Sequence, residues 1–311
     1  MKFNNIFRPK KFVDFIGQKN IIDNLSIFIK SAKQQQMALD HVLFFGTTGC
    51  GKTSLSFLIA NEMDKKITFI NGTTLNKPSD LISPLTTMKE NDILFIDEIH
   101  AVDVSILEVL YPALEDNVIN VMVGKEYNSK VITIKVPKFT LIAATTEIHK
   151  VPLPLLNRFP IQFYLKEYTE SEMEMIIKLT SQKLKMNLDD TCAKILSMHC
   201  KNNPRVAINL LKRVNDYLLI SEGELTGEKI YSILNRIGIV KYGLNQIDLD
   251  YLLVLNDGKS YGVETIFQIT GIPVRTIIVN VEPTLIKLGL IFKSSKGRTI
   301  TEKGLNLLTN L

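Results

Sequence analysis

The hydrophobic rhythm of the chain changes twice. In the first half, short continuous apolar runs alternate with stretches whose apolar residues recur every three or four positions. Val42 to Phe45, "ITFING", "DILFID" and "FTLIAAT" are runs of the first kind and predict strands buried on both faces. "NIIDNLSIFIKSAKQQQ", with Ile21, Leu25, Phe28 and Ile29 on one side, predicts an amphipathic helix. "KTSLSFLIANEM" does the same with Leu55, Leu58, Ile59 and Met63. Alternating strands and helices predict an α/β fold with a parallel sheet flanked by helices, over residues 1–168.

From Thr169 the runs disappear and four helical segments follow. They are "TESEMEMIIKLTSQKLK", "DDTCAKILSMHC", "NPRVAINLLKRVNDYLL" and "TGEKIYSILNRIG". Thr169 and Glu172 have the spacing of a capping box, and Asn203-Pro204 and Thr226-Gly227 mark turns. A small helical domain is expected over 169–240. The last stretch, 241–311, reads as helices followed by two short strands around Ser-Ser-Lys-Gly in "LIFKSSKGRTIT", which predicts a winged helix. Pro283 is expected to break the longest of these helices. Residues 118–136 alternate apolar and polar positions, as an exposed hairpin would.

Composition narrows the class. The chain has 311 residues, 45% hydrophobic and 22% charged, which supports two or three domains with real cores. The formal net charge of +5 permits nucleic-acid contact without arguing for it. Three cysteines, Cys50, Cys192 and Cys200, lack metal spacing and suit a reduced cytosolic compartment. "MKFNNIFRPKKF" has no apolar core, and no run of about 18 apolar residues occurs, so neither secretion nor membrane spanning is expected.

The chemistry begins directly after the first strand. Gly46, Thr47, Thr48, Gly49, Cys50, Gly51, Lys52 and Thr53 fill G-x-x-x-x-G-K-[ST] between a strand and a helix. Glycines let an anion approach the backbone, whose N–H groups and helix dipole then face it. Lys52 would reach the β- and γ-phosphates of ATP, and the Thr53 hydroxyl would ligate Mg²⁺. "DILFID" ends in Asp97-Glu98, an acidic pair at the carboxyl end of a buried strand. Asp97 would hold Mg²⁺ through water, and Glu98 would orient or deprotonate the attacking water. Asp97-Glu98-Ile99-His100 also fits the D-E-x-H box of two-motor helicases, but those need a second nucleotide-binding lobe, and the chain turns helical after Arg158. "FTLIAAT" ends in Thr145-Thr146, whose hydroxyls could sense the γ-phosphate. Arg158 is placed to reach a neighbour's nucleotide. Pro204 can open a helix, which puts Arg205 in its first turn.

Loop, Asp-Glu strand, threonine sensor, Arg158 and Arg205 in this order resemble an AAA+ ATPase. "FRPKKFVDFIGQ", "ALDHVLFFG", "KPSDLI", "DILFIDEIH", "LYPALEDNVINVMVGK", "FTLIAATT", "NPRVAINLLKRV" and "VEPTLIKLGLIFKSSKGR" are similar, more narrowly, to the RuvB family of bacterial Holliday-junction branch-migration motors. The resemblance spans about Phe7 to Arg298 and includes the wing. It implies an ATP-driven DNA motor of the bacterial cytoplasm acting in recombination and repair. Phe7, Arg8 and Tyr168 would border the adenine. Gly49, Gly51, Lys52, Thr53 and Ser54 would hold phosphates and Mg²⁺. Glu115, Asp116 and Asn117 would lie near nucleotide, Asn117 replacing an aromatic residue. Arg158 would be an arginine finger acting in trans, and Arg205 a second sensor. Lys293, Lys296 and Arg298 would touch DNA phosphates. The implied partners are duplex DNA and Holliday junctions, five further copies in a hexameric ring, a RuvA-like protein docked on hairpin 118–136, and a RuvC-like resolvase.

The chain departs from the family at three places. Thr47, Thr48 and Cys50 stand where the family has two prolines and a leucine. Glu147-Ile148-His149 replaces Arg-Ala-Gly, so a negative charge takes the place of a positive one. Ser129-Lys130 replaces Ala-Arg in the hairpin. An AAA+ clamp loader or replication initiator remains the alternative class, although the wing argues against a helical collar.

Overall fold

The apolar runs become strands of one parallel sheet in the computed structural model, whose described residues are 6–123, 130–220 and 224–310. In chain order the strands are β1 (Val42–Gly46), β2 (Ile67–Asn71), β3 (Ile93–Asp97), β4 (Val118–Val123), β5 (Lys130–Lys135), β6 (Thr140–Thr145) and β7 (Ile161–Leu165). Five of them pair in parallel in the order β2-β3-β6-β1-β7. The middle strands are continuous apolar runs because helices cover both faces, and every residue of β6 is buried. β7 escaped the sequence reading. It lies at the sheet edge, so Gln162 and Tyr164 face solvent and its apolar run is interrupted.

The helices of this first unit are α1 (Lys19–Gln35), α2 (Lys52–Met63), α3 (Ser79–Thr87), α4 (Val104–Glu115) and α5 (Leu153–Leu156). α1 buries Ile21, Leu25 and Ile29, as its spacing predicts. β4 and β5 form a separate antiparallel pair, the expected hairpin. Ile119 at its base is fully buried, whereas Met122 and Val131 are 72% and 64% exposed. The outer hairpin therefore presents apolar surface instead of packing on its own domain. Its tip, residues 124–129 including Ser129, lies outside the described residues.

The chain divides into compact units at Tyr168/Thr169. In the second unit α6 (Glu170–Lys183) starts with the predicted Thr169–Glu172 capping box. It is followed by α7 (Asp190–Ser197), α8 (Pro204–Ile220) and α9 (Gly227–Arg236). Thr226 accepts the N–H of Lys229, so Thr226-Gly227 is a helix cap as well as a turn. Cys192, His199 and Cys200 each donate a hydrogen to a backbone carbonyl, those of Leu225, Ile195 and Leu196. The winged helix comprises α10 (Gln246–Val254), α11 (Val263–Thr270), α12 (Val274–Thr276), α13 (Glu282–Lys287), the strands β8 (Ile291–Ser294) and β9 (Gly297–Ile300), and α14 (Glu302–Thr309). Lys201 Nζ lies 2.7 Å from the buried carboxylate of Asp248 and ties this part to the helices before it. No single helix among the described residues is long and apolar enough to cross a membrane.

Pro283 does not break the chain direction as expected. The backbone passes through a π-helical segment, Ile277–Val281, into α13. The proline lacks an N–H, and its ring would clash with the carbonyl four residues back, so the wider turn accommodates it. Just before it, Glu282 turns inward and is 2% exposed. Its carboxylate takes Arg298 Nε at 2.7 Å, Lys293 Nζ at 3.3 Å and the Tyr251 hydroxyl at 3.3 Å. Burial, followed by the charge of Glu282, pushes the Tyr251 phenol above its ordinary range. The wing sets apart the three cations expected to touch DNA phosphates. Arg298 is 11% exposed and its fork is committed to Glu282, so it supports the wing from inside, while Lys293 and Lys296 remain at the surface.

Breaking a buried pair strands the surviving charge, at a cost of about 3–5 kcal/mol. Glu282→Ala should lower unfolding stability by about that much, read from chemical denaturation. Replacing the surface Lys296 by Ala should change it by less than about 0.5 kcal/mol.

Candidate active site

Parallel strands end together, and this collects the catalytic candidates. β6 lies between β3 and β1, so Thr145 and Thr146 stand between Asp97, which ends β3, and Gly46, which ends β1. The loop after β1 takes left-handed backbone at Gly49 (φ 81°) and Gly51 (φ 108°). A Cβ at Gly51 would come within 2.8 Å of the Phe15 ring, so this turn requires glycine. Lys52 opens α2, and its ammonium donates to the carbonyls of Gly46 (2.8 Å) and Thr47 (2.9 Å). The Cys50 thiol donates to the same Thr47 carbonyl at 2.8 Å. Two donors thus hold the loop where the family's prolines would stiffen it. Ser54 follows in the first turn, partly exposed.

Tyr168 is buried and its hydroxyl donates to the Cys50 carbonyl at 3.0 Å, which puts it against the loop. The Arg8 guanidinium lies 4.6 Å from the centre of the Phe57 ring on α2. Gln18 bridges Lys166 in both directions and holds the amino-terminal segment to the end of β7. Arg8 is thereby attached to the helix that follows the loop, and Tyr168 to the loop itself. Phe15 belongs with them, and only its contact with Gly51 reveals it.

The Thr53 hydroxyl donates to Asp97 Oδ2 at 3.2 Å. An alcohol and a carboxylate side by side are hard oxygen donors and fit Mg²⁺. Burial, reinforced by the charge of Glu98, raises the Asp97 carboxyl above its ordinary value. Glu98 adopts left-handed backbone, φ 51° and ψ 52°, a conformation that costs a non-glycine residue about 1–3 kcal/mol. Its Oε2 accepts from the N–H (3.2 Å) and the hydroxyl (3.1 Å) of Thr146. His100, absent from the candidates, contacts this carboxylate and Glu147, which is itself ion-paired with Lys150. The hydrogen bond from Lys150 is the main cause that lowers the Glu147 carboxyl below its ordinary range.

Arg158 lies elsewhere. It precedes β7, whose Ile161 pairs with Val42 at the start of β1, so it stands at the amino edge of the sheet. Strands of five residues separate the two edges by about 16 Å. Its guanidinium pairs with Glu115 at 2.9 Å, donates to the Pro154 carbonyl at 2.6 Å and lies over Tyr111. Nε is buried with no acceptor among the described residues. Glu115, Asn117 and Arg158 line a cleft of about 400 Å³. Glu115, Asp116 and Asn117 thus stand away from their own chain's phosphate loop, next to Arg158. Asn117 has φ 55°, a left-handed position that asparagine tolerates better than an aromatic residue does. In the second unit, Pro204 is the first residue of α8, and the Arg205 N–H bonds to Asn203 Oδ1 at 2.9 Å.

An Asp97 whose folded-state pKa is raised penalises folding once ionised, that is, as pH rises from its ordinary value of 3.8 through the raised one. Asp97→Asn should therefore raise the melting temperature of the nucleotide-free chain at neutral pH and lose that advantage near pH 4. The same substitution should abolish Mg²⁺-dependent nucleotide hydrolysis.

Comparison with known proteins places this geometry. Three family models match in succession: the Holliday junction DNA helicase RuvB P-loop domain over residues 7–165, the RuvB AAA lid domain over 168–239 and the RuvB C-terminal winged helix domain over 241–309. The "Holliday junction branch migration complex subunit RuvB" of Ureaplasma urealyticum is 41% identical over 313 residues, covering 100% of this chain and 98% of its own. The protein of the same name from Mycoplasmopsis synoviae is 39% identical over 307 residues, with 97% of each chain covered. The solved structure of the Thermotoga maritima RuvB Holliday junction branch migration motor superposes with a TM-score of 0.83 at 31% identity, covering 98% of each chain. A nucleotide-binding P-loop, a lid and a winged helix, matched end to end at this identity, place the chain in the RuvB family of AAA+ ATPases.

Proposed function

We propose that this chain is the ATP-hydrolysing motor subunit that moves duplex DNA to drive branch migration of Holliday junctions. One observation carries the reading: Lys52, Thr53, Asp97 and Thr146 gather at the carboxyl edge of the sheet, and Arg158 stands at the opposite edge. Because Arg158 stands at the edge away from its own chain's phosphate loop, a second copy completes the site, so the working form is a ring, taken as six subunits.

In that ring Lys52 leaves the carbonyls of Gly46 and Thr47 for the β- and γ-phosphates, and the backbone of Gly49, Gly51 and Ser54 cradles them. Thr53 and Asp97 are the residues that would hold Mg²⁺, which would supply positive charge against the phosphates. Thr146 reads the γ-phosphate and so releases Glu98, which orients the attacking water. A neighbour's Arg158 brings positive charge to the transition state, with Glu115–Asn117 of that neighbour beside it. Arg205 acts as the second sensor. Lys293 and Lys296 grip DNA phosphates without reading sequence, and multiplication around a ring makes this thin footprint sufficient. The apolar face of β4 and β5 docks a RuvA-like junction-binding protein, and a RuvC-like resolvase completes the assembly.

Two experiments test this reading. Arg158→Ala alone and Lys52→Ala alone should each lower DNA-stimulated ATP turnover by about 10³-fold or more. Mixing the two variants should restore part of it, because a ring can then contain an intact loop facing an intact arginine. Restoration would be absent if Arg158 acted within its own chain. The second experiment combines the protein with ATP, a four-way junction and a RuvA-like partner, and should yield strand exchange. Met122→Asp with Val131→Asp should stop that exchange while ATP turnover on linear duplex persists. Turnover without any exchange in the parent chain would favour the loader class.

A further inference from the structure

One side chain beside Glu98 takes no part in the mechanism above. The His100 ring is only 13% exposed, and both its nitrogens are engaged. Nδ1 lies 2.9 Å from Thr145 Oγ1 and 3.3 Å from Glu98 Oε2. Nε2 lies 3.0 Å from Glu147 Oε2. An ionised carboxylate only accepts, so the hydrogen in the last contact belongs to Nε2. Glu147 thereby sets the ring's orientation and turns Nδ1 to the Thr145 hydroxyl, with Glu98 Oε2 packed alongside at 3.3 Å. Glu147 is itself held twice: Lys150 Nζ lies 2.8 Å from its Oε1, and its own N–H donates to Thr145 Oγ1 at 3.0 Å.

We infer that Glu147, acting through His100, is a positioning pair for Glu98, and that it fixes the direction in which Glu98 presents its carboxylate when Thr146 lets go. This rests on the reading of Glu98 as the group that orients the attacking water. The left-handed backbone of Glu98 aims its side chain without fixing its end, because the terminal torsion of a glutamate is broad. Thr146 holds that end on one side and His100 bounds it on the other. Thr146 is also the group the γ-phosphate recruits, so at the moment of hydrolysis His100 is the remaining constraint. Small displacements of an orienting group are costly to rate, which gives the pair its leverage. Glu147 and Lys150 are 37% and 51% exposed, and an ion pair so exposed contributes little to folding. Loss of Glu147 should therefore appear in turnover and not in stability.

The test is steady-state ATP turnover by the full chain with Mg²⁺ and linear duplex DNA. Glu147→Ala should lower kcat about ten-fold, with KM for ATP and the melting temperature close to the parental values. Glu147→Gln keeps an acceptor oxygen for Nε2 and should stay within about two-fold of the parent. His100→Ala should fall as far as Glu147→Ala, and the double variant no further, because one path is cut twice. A parental kcat in Glu147→Ala, equal loss in Glu147→Gln, or additive losses in the double variant would each overturn the inference. If His100→Ala fails to fold, the Ala and Gln variants at 147 still decide. Glu98→Gln distinguishes the two layers: an inert Glu98→Gln beside a fully active Glu147→Ala removes the positioning pair alone, and an active Glu98→Gln removes both it and the assignment of Glu98.

Discussion

A parallel sheet has two unlike edges, and the function of this chain depends on that asymmetry. All five strands point the same way, so the turns after β1, β3 and β6 collect at one edge, and the turns before them at the other. The first edge gathers glycine backbone, a lysine, a threonine, carboxylates and a sensor hydroxyl. The second holds Arg158. No local rearrangement carries Arg158 across the sheet, because its strand is anchored from Ile161 through Leu165 against β1. Separation of the phosphate loop from Arg158 is thus a consequence of strand direction.

Both edges are kept in check in the isolated chain. Lys52 is occupied by loop carbonyls, Glu98 by Thr146, and Arg158 by Glu115 and Pro154. All of these contacts lie within the one chain. They keep charged groups solvated or paired, since an isolated buried charge would be destabilising. The raised carboxyl of Asp97 is the exception: burial and the charge of Glu98 make its ionised form a cost to the fold, one that a divalent cation would relieve.

The winged helix follows a related logic. Two cations and a phenol converge on one buried carboxylate, Glu282, which the π-helical turn before Pro283 directs inward. The hairpin that carries Lys293 and Lys296 is therefore fastened to the helix behind it. Gly297 takes φ 134°, where a Cβ would lie 2.5 Å from the Tyr261 carbonyl, so the wing also hugs that backbone. A wing fastened in this way has little conformational freedom left to lose in a contact made by its surface.

The features written in consecutive residues were legible in the sequence: the loop from Gly46 to Thr53, Asp97-Glu98 ending an apolar run, Thr145-Thr146, the Thr169 cap, and the hairpin around Ser295 and Lys296. Each depends on near neighbours, whose geometry the covalent chain dictates. The long-range features were not legible. β7 looked unlike a strand because an edge needs only one buried face. Arg158 and Glu115 are far apart in sequence and meet only when α4 and the approach to β7 end at the same edge. Arg298 looked like a third surface cation until Glu282, sixteen positions earlier, came to lie beneath it. His100 and Glu147 became neighbours because β3 and β6 pair side by side. Chain order alone determined which chemical groups this protein carries and the turns that present them. Tertiary structure decided which of those groups face each other, because strand direction and burial act between residues that the sequence keeps apart.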